Sequence, residues 1–232
     1  MTATLYGEVY LRSTRPFLSD AQSEAEGMFL RGHLPAGRLL DLGCGHGRHL
    51  THVPGAVGVD RDPTSLALAR AAGAVVRGDL AALPFATGAF AGAWCWYDTL
   101  GTFEDDQVPP ILREVARCLA PGGTLLLHGA HRDRALAHPD AETDDALPDG
   151  GRLVERVRHD ASRRRDEVVR ELHGPDGRVA LARFFIRYRD AEEWRPLLAA
   201  AGLDLTWCIG SLFGEPLDAS SDEIIVGAGR RP

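Results

Sequence analysis

The 232-residue sequence contains no lysine and no asparagine, so all 26 of the residues counted as lysine or arginine are arginines. The absence of lysine excludes enzymes that form a Schiff base through a lysine amine and proteins that bind phosphate through a phosphate-loop lysine. The absence of asparagine excludes N-linked glycosylation. Several broad classes of protein are therefore excluded before any motif is considered.

Cysteine is scarce, and the four present (Cys44, Cys95, Cys118 and Cys208) form no C-x-x-C pair. This spacing predicts neither a metal site nor a disulfide framework. No apolar run approaches the roughly 20 residues that a membrane-spanning helix needs. The N-terminus also lacks the charged-then-apolar pattern of a signal peptide. We therefore expect a soluble, cytoplasmic protein with no membrane partner.

The formal net charge of −7 disfavours a protein that binds nucleic acid mainly through phosphate contacts, because such proteins are usually basic. The one arginine run, at residues 163–165, is flanked by Asp160, Asp166 and Glu167. An arginine run mixed with acidic residues is more typical of a solvated turn than of a nucleic-acid surface. No nucleic-acid partner is expected.

Short apolar runs alternate with helical patterns through the first 130 residues, which predicts βαβ units around a parallel sheet covered on both faces. A leading helix is expected over residues 21–34. A second helix should be capped by Asp62, begin at Pro63 and stop at Gly73. The predicted strands are residues 38–42, 56–60, 74–77, 92–97 and 123–128.

The pattern changes after residue 130. Residues 131–150 are acidic and rich in proline, which predicts a loop, and three segments of strand-like alternation follow, joined in part by a turn at 174–177. Asp190 and Glu193 form a capping box for a late helix, and residues 203–209 and 223–228 should pair as an edge hairpin. We predict one domain with an α/β fold: a doubly wound, mostly parallel seven-stranded sheet with a small antiparallel insertion. Its parts are a leader (1–35), a core (36–130), a loop and insertion (131–189) and a C-terminal segment (190–232).

The most informative motif is the run Asp-Leu-Gly-Cys-Gly-His-Gly at residues 41–47, where the first core strand gives way to the next segment. Glycines there let a ligand approach the backbone. Asp60 ends the second strand 17 residues after Gly43, where a carboxylate can accept both hydroxyls of a ribose. Asp79 follows the third strand. The glycines predict a ligand at this edge, although a tight strand–helix turn alone would also use them.

These residues resemble the class I S-adenosylmethionine-dependent methyltransferases over about residues 36–130. The resemblance implies that the chain is a methyltransferase with S-adenosyl-L-methionine as its cofactor. It also resembles the branch that acts on small molecules, because the fourth strand carries Tyr97-Asp98-Thr99 instead of the Asn/Asp-Pro-Pro-Tyr clamp of other branches. The resemblance implies a cofactor site formed by Tyr10, Asp41, Gly43, Cys44, Gly45, Gly47, Asp60, Arg61, Asp79, Leu80 and Trp96.

A dinucleotide-dependent dehydrogenase is the main alternative, since it also places an acid after the second strand. Its third glycine is missing here, because Arg48 occupies that position. Two further hypotheses stay open at this point. The chain can be a module that binds the cofactor without turnover, or it can methylate RNA.

The methyl acceptor is expected at the carboxyl ends of the fourth and fifth strands, where His128, His131, Tyr97 and Asp98 are the candidate catalytic residues. His128 is the preferred base. Asp98 stands where small-molecule relatives often carry asparagine, which indicates either a more basic acceptor or compositional bias. In the leader, Tyr10 is expected to close over the cofactor, with Tyr6 as second choice and a frayed terminus as the alternative. The sequence does not decide the acceptor, the atom methylated or the oligomeric state.

Overall fold

The structure, a computed structural model, describes residues 2–3, 7–137 and 140–232. In chain order the strands are β1 (Thr2–Ala3), β2 (Leu39–Leu42), β3 (Val57–Asp60), β4 (Ala74–Arg77), β5 (Phe90–Cys95), β6 (Leu119–Ala130), β7 (Asp140–Ala146), β8 (Arg152–Asp160), β9 (Arg165–His173), β10 (Val179–Arg187), β11 (Leu203–Ile209) and β12 (Glu223–Arg230). The helices are α1 (Glu8–Ser13), α2 (Asp20–His33), α3 (Pro63–Ala69), α4 (Val108–Cys118), α5 (Arg132–Ala137) and α6 (Ala191–Ala200).

Seven strands form the main sheet in the order β11-β12-β6-β5-β2-β3-β4. The five strands from β6 to β4 are parallel, and β12 runs antiparallel to both of its neighbours. The central strands are apolar on both faces because helices cover both: α4 and α6 pack on one side and α2 on the other. The predicted doubly wound sheet with a C-terminal antiparallel hairpin is confirmed.

Three helices begin at side-chain caps, and the sequence predicted those at Asp62 and Asp190. Ser19 accepts a hydrogen bond from Gln22 N at 3.1 Å, and Asp62 accepts one from Ser65 N at 2.6 Å. Asp190 caps α6 in a capping box. Each cap satisfies backbone N–H groups that have no partner inside the helix. Among the described residues, no helix has both the length and the apolar character needed to cross a membrane.

The insertion between β6 and α6 forms a separate sheet in the order β1-β10-β9-β8-β7. Its antiparallel hairpins and the turn at 174–177 are as predicted, and the turn is closed by a hydrogen bond from Gly177 N to Gly174 O at 3.0 Å. The prediction that residues 131–150 form only a loop is wrong, because they contain α5 and β7. Acidic side chains of β7 pair with arginines of β8, Glu142 with Arg156 among them, so the charged segment is stable as an edge strand.

The carboxyl ends of β2 to β6 meet along one edge of the main sheet. Asp60 is the last residue of β3. The segments that follow the other strand ends contain Gly43, Asp79, Tyr97 and His131. In open α/β sheets, ligands bind outside these strand ends, so this edge is where a site is expected. The inserted sheet and α1 lie beside it, since β10 contacts the turn at Thr99–Thr102 and α1 contacts α3.

Candidate active site

The loop after β2 is tied to β3 and has left-handed backbone at three glycines. Gly43, Gly45 and Gly47 have φ values of +71°, +54° and +81°. The backbone N–H groups of Gly43 and Cys44 both donate to Val59 O, at 2.8 and 3.0 Å. A Cβ atom on Gly43 would lie 2.8 Å from Cγ2 of Thr99, so only glycine fits there. The loop therefore presents bare backbone to the space above the strand ends.

Asp60 is fixed by the same loop. Its Oδ2 accepts a hydrogen bond from Gly45 N at 2.9 Å, and its Oδ1 accepts one from Asp62 N at 2.8 Å. Each carboxylate oxygen keeps a second lone pair that can accept a ligand hydroxyl. Burial raises the pKa of Asp60 although these backbone hydrogen bonds lower it. The arrangement suits a ligand that offers two neighbouring hydroxyls.

Two cavities open at this edge and share Gly43, Asp60 and Thr99 in their walls. The small cavity, of about 280 Å³, lies toward β4 and contains three further predicted cofactor residues: Arg61, Asp79 and Leu80. The large cavity, of about 530 Å³, lies over β2 and β5. It contains eight further predicted site residues: Tyr10, Asp41, Cys44, Gly45, Trp96, Tyr97, Asp98 and His128. Nearly all of the predicted residues thus come together.

Gly47 and His131 lie apart from the others, outside the described walls of both cavities. A Cβ atom on Gly47 would lie 3.0 Å from Ala69 and 3.2 Å from Ala72, so this glycine permits close packing of the loop against α3 and the turn after it. His131 is buried, and its backbone N–H donates to Asp222 O at 3.0 Å. Neither residue is placed to contact a ligand in the cavities.

Asp41 is a buried carboxyl group beneath the glycine loop. The residue is 2% exposed, and its Oδ2 has no hydrogen-bond partner among the described residues. Burial raises the pKa of Asp41 to about 8, against the lowering influence of Arg48 and with a further rise caused by Asp60. A buried carboxylate without a partner is costly, and a cationic group in the large cavity would remove that cost.

Three residues that the sequence reasoning did not select form a network beside Asp41. The Glu26 carboxylate on α2 accepts hydrogen bonds from Arg48 Nη1 and from His49 Nε2, the latter at 2.7 Å. Burial by itself would raise the pKa of Glu26, but these hydrogen bonds lower it to about 2. Glu26 lies on the same buried face of α2 as Phe29 and Leu30, and a charged residue in that apolar stripe was a signal that could have identified it.

Arg48 links this network to the large cavity. Its side chain is 91% buried and its Nη2 has no hydrogen-bond partner in the described part of the chain. The guanidinium carbon lies 5.7 Å from the ring centre of Tyr97. Arg48 therefore brings a cation to the wall of the large cavity, close to the Asp41 carboxylate.

His128 is engaged at both ring nitrogens. Tyr97 N donates to Nδ1 at 3.1 Å, so the ring hydrogen is on Nε2, which donates to Glu223 Oε2 at 2.8 Å. The ring stacks on Trp96 with a centroid distance of 4.5 Å. This arrangement favours a role in holding the strand end over the role of base that the sequence predicted.

Tyr97 and Asp98 follow β5 in a strained conformation, with φ values of +57° and +55°. The Asp98 carboxylate accepts hydrogen bonds from Ala130 N at 3.0 and 3.1 Å. Burial raises the pKa of Asp98, although the neighbouring His128 lowers it. Burial likewise raises the pKa of Tyr97, which is half-exposed. Both side chains line the large cavity.

The leader covers the glycine loop. Tyr10 on α1 lies with its hydroxyl 3.7 Å from the point where a Cβ on Gly45 would be, and 3.5 Å from His46 Nδ1. Burial raises the pKa of Tyr10 to about 12. Residues 7–18 are therefore not a frayed end, while Tyr6 lies outside the described residues.

Residues of the inserted sheet and of the start of β12 also line the large cavity. None of them was selected as a site residue from the sequence. Glu223 and Asp222 line the large cavity from the start of β12, and Arg170, Phe184, Ile186 and Tyr188 line it from the insertion. Glu223 could not be recognised from sequence, because only the antiparallel pairing of β12 with β6 places it opposite Ala130 and beside His128. The large cavity is therefore bounded by three separate parts of the chain.

The residues present fit S-adenosylmethionine. Asp60 offers paired acceptors for ribose hydroxyls, and the small cavity next to it has the size and partly apolar wall that an adenine needs. Asp41 and Arg48 offer opposite charges for the ammonium and carboxylate of the methionine part. The bare glycine backbone lies between these groups.

Comparison with known proteins agrees with this fit. Residues 39–123 match the model of a family described as a methyltransferase domain, whereas no curated protein matches the sequence. The structure of the CcbJ methyltransferase from Streptomyces caelestis is 21% identical, with coverage of 92% of this chain and 93% of that chain and a TM-score of 0.78.

Two further solved structures are similar over nearly the whole chain. The sugar N-methyltransferase KedS8 from a Streptoalloteichus species is 25% identical, covers 100% of this chain and 96% of its own, and has a TM-score of 0.72. CalS10 from Micromonospora echinaspora, an amino pentose methyltransferase solved with S-adenosylmethionine bound, is 22% identical, with coverage of 99% and 100% and a TM-score of 0.66.

Proposed function

We propose that this chain, an S-adenosylmethionine-dependent methyltransferase as its sequence motifs predicted, methylates the amine nitrogen of a small polar molecule. An aminodeoxy sugar is an acceptor of this kind. The observation that carries this proposal is the acidic, enclosed acceptor side of the large cavity. Asp98, Asp222 and Glu223 line that side, and Arg170, the nearby cation, is paired with Glu155. KedS8, described as a sugar N-methyltransferase, and CalS10, described as an amino pentose methyltransferase, support the same class of acceptor.

We propose that the cofactor lies across both cavities. Asp60 holds the ribose hydroxyls, and Asp79 with Leu80 and Arg61 surrounds the adenine in the small cavity. Asp41 pairs with the ammonium of the methionine part, and Arg48 with its carboxylate. Tyr10, Cys44, Gly43, Gly45 and Trp96 supply the walls around that tail, which directs the sulfonium toward Tyr97 and Asp98.

The cofactor, when bound, supplies a methyl group on a positively charged sulfur. The protein's task is then mainly to align the acceptor with that group, because alignment can provide much of the acceleration of such a displacement. The positive charge would pass to the acceptor nitrogen, and Asp98 and Glu223 are acidic residues in the wall of the same cavity. Fixed negative groups that face a developing positive charge stabilise the transition state. An amine nitrogen has its own lone pair and requires no dedicated base once it is neutral.

The size of the site favours a small molecule over a macromolecule. The large cavity holds about 530 Å³, and the inserted sheet and α1 lie over it. The net charge of −7 opposes binding of an RNA acceptor. The free state of all four cysteines fits the predicted cytoplasmic location.

The experiment is a labelled-methyl transfer assay with the full chain. The acceptors are a panel of aminodeoxy sugars and simple amines, each paired with the analogue that has a hydroxyl in place of the amine, and one structured RNA. We expect label on the amines and none on the hydroxyl partners. Asp98→Asn should raise the KM for the amine and leave the affinity for S-adenosylhomocysteine unchanged.

Three outcomes would contradict the proposal. Label on hydroxyl analogues alone would indicate an oxygen acceptor, and label on RNA, with an affinity that falls steeply with salt, would indicate a nucleic-acid enzyme. Tight binding of S-adenosylhomocysteine with no label transferred to the panel or to a metabolite extract would indicate a binding module without turnover.

A further inference from the structure

Three buried polar side chains of the inserted sheet are joined in a row that ends at the large cavity. The Tyr188 hydroxyl donates a hydrogen bond to Asp166 Oδ2 at 3.0 Å, and His159 Nδ1 donates to Asp166 Oδ1 at 2.8 Å. Tyr188 is 8% exposed, Asp166 is 5% exposed, and the His159 side chain is 9% exposed. We refer to these residues as the insertion triad.

The topology brings the triad together at one end of the inserted sheet. Register places His159 of β8 opposite Asp166 of β9, and Asp166 opposite Ile186 of β10. Tyr188 follows β10 and is the member that lines the large cavity, together with Ile186 and Phe184. This is also the end of the sheet that contacts the main fold, since a Cβ on Gly101 would lie 3.1 Å from Arg187 O.

The triad is an energetically unfavourable way to join two strands. Burying a carboxylate costs several kcal/mol before its partners compensate, and apolar side chains of similar volume often stabilise as well or better. A tyrosine that met only a structural need could be a phenylalanine, like Phe184 and Phe185 nearby. Tyr188 is the one member of the triad that lines the large cavity in the described part of the chain.

The direction of the hydrogen bonds determines what that oxygen can do. Ionised Asp166 is an acceptor only, so the hydroxyl hydrogen of Tyr188 points to Asp166 and the lone pairs of its oxygen remain for another donor. The bond to a charged partner increases the electron density on the oxygen, and His159 holds the carboxylate in place. Asp98, on the other side of the acceptor region, is close enough that its charge contributes to the raised pKa of Tyr188, after burial and Asp166.

We infer that Tyr188 orients the methyl acceptor, with its hydroxyl oxygen accepting a hydrogen bond from an N–H of the acceptor while Asp166 and His159 hold the hydroxyl hydrogen away from the cavity. Tyr188 is then a specificity-determining residue, and Asp166 and His159 are positioning residues that act through it. With one N–H held, the nitrogen lone pair can be directed at the sulfonium methyl. The inference rests on the proposed amine acceptor. It involves no proton transfer.

The test uses the aminodeoxy sugar that gives the highest rate in the acceptor panel. Tyr188→Phe keeps the ring and removes the oxygen, and kcat/KM for that sugar should fall about 10- to 100-fold, the range of one hydrogen bond in a buried site. Asp166→Asn keeps the shape and removes the charge, so the loss should be smaller, about 3- to 10-fold. The Kd for S-adenosylhomocysteine should stay within about twofold in both variants, because the triad is not among the residues proposed to hold the cofactor.

His173→Gln is the matched control, since His173 lies on the same sheet beside Glu171 and outside the described walls of the large cavity. It should leave kcat/KM unchanged. The inference is overturned if Tyr188→Phe transfers methyl as well as the wild type, or if its loss is matched by equal losses of cofactor affinity or melting temperature, which would indicate a structural tie. If the wild-type protein binds S-adenosylhomocysteine but methylates no amine, the proposed function fails, and this inference fails with it for that separate reason.

Discussion

The backbone N–H of Tyr97 donates a hydrogen bond to Nδ1 of His128 at 3.1 Å, which uses the lone pair that a general base would need. The other nitrogen of the ring donates to Glu223, so the imidazole bridges a strained strand end and β12. Tyr97 has a left-handed backbone, which for a residue other than glycine costs on the order of 1–3 kcal/mol. His128 therefore supports the conformation that aims Tyr97 and Asp98 at the large cavity.

The first prediction separates this positioning role from proton transfer. Glutamine has one acceptor and one donor, so His128→Gln can keep both hydrogen bonds, whereas His128→Leu loses both. We expect His128→Leu to lower kcat for methyl transfer about 10- to 100-fold, and His128→Gln to keep the rate within a few fold of the wild type. Steady-state rates measured over a range of pH provide the test. Equal, severe losses in both variants would support His128 as the base, since an amide cannot take up the proton.

Local signals were sufficient to predict most of the fold. The caps at Ser19, Asp62 and Asp190 are short-range features, and each of them begins a helix in the structure. Residues 140–146 show where such reasoning fails. All seven of these side chains are polar or small, and the strand pairs with β8, whose arginines neutralise it, which is a non-local effect.

The sequence could bring the residues proposed to hold the cofactor to one place because they follow consecutive parallel strands, and such strand ends share one edge. The residues on the proposed acceptor side were harder to predict from the sequence. Glu223 and Tyr188 reach the cavity only through the antiparallel return of β12 and the packing of the inserted sheet on the main fold. Glu26 contacts the site through Arg48 and His49, and no local spacing joins residues so far apart in sequence.

The second prediction concerns Asp60, with Asp62 as its control. Asp60→Ala removes the acceptors for the ribose and the tie to Gly45 N, so the Kd for S-adenosylhomocysteine should rise at least tenfold by calorimetric titration. Methylthioadenosine keeps the ribose and lacks the amino-acid tail, and its binding should be weakened by a similar factor. Asp62→Ala removes the cap of α3 and should cost about 1 kcal/mol of stability with little change in either Kd. An unchanged Kd in Asp60→Ala would contradict the assignment.

The third prediction uses the raised pKa of Asp41. A carboxyl group with a pKa of about 8 in the folded protein and near 3.9 in the unfolded chain binds more protons when folded, so it stabilises less and less as pH rises from about 4 to 8. Asp41→Asn removes this dependence. Without cofactor, the variant should therefore exceed the wild type in free energy of unfolding by more than about 1 kcal/mol at pH 8 and by less at pH 5.

Urea unfolding at the two pH values, without cofactor, measures this difference. The same variant should bind S-adenosylhomocysteine more weakly, because it no longer pairs with the ammonium. A gain in stability joined to a loss of affinity is typical of a residue kept for binding. A variant whose stability relative to the wild type is the same at both pH values would show that Asp41 is ionised normally in the folded protein.

The fourth prediction assigns the cofactor's carboxylate to Arg48. Decarboxylated S-adenosylmethionine lacks only that group, so the wild-type protein should bind it more weakly than S-adenosylmethionine. In Arg48→Gln the affinity for S-adenosylmethionine should fall about 10- to 100-fold, while the affinity for the decarboxylated form should change little, because the lost interaction is absent there. Glu26→Gln should lower the ratio of the affinity for S-adenosylmethionine to that for the decarboxylated form by a smaller factor, because the Glu26 carboxylate accepts a hydrogen bond from Arg48 Nη1.

Arg31→Gln is the matched control, because Arg31 is an exposed arginine on α2 that bonds the backbone of His52 instead of facing the cavity. It should leave both affinities unchanged. Equal weakening of the two ligands by Arg48→Gln would mean that Arg48 acts only by supporting the glycine loop. In that case the cation that receives the carboxylate must be another residue, and among those lining the large cavity Arg170 would be the one to test.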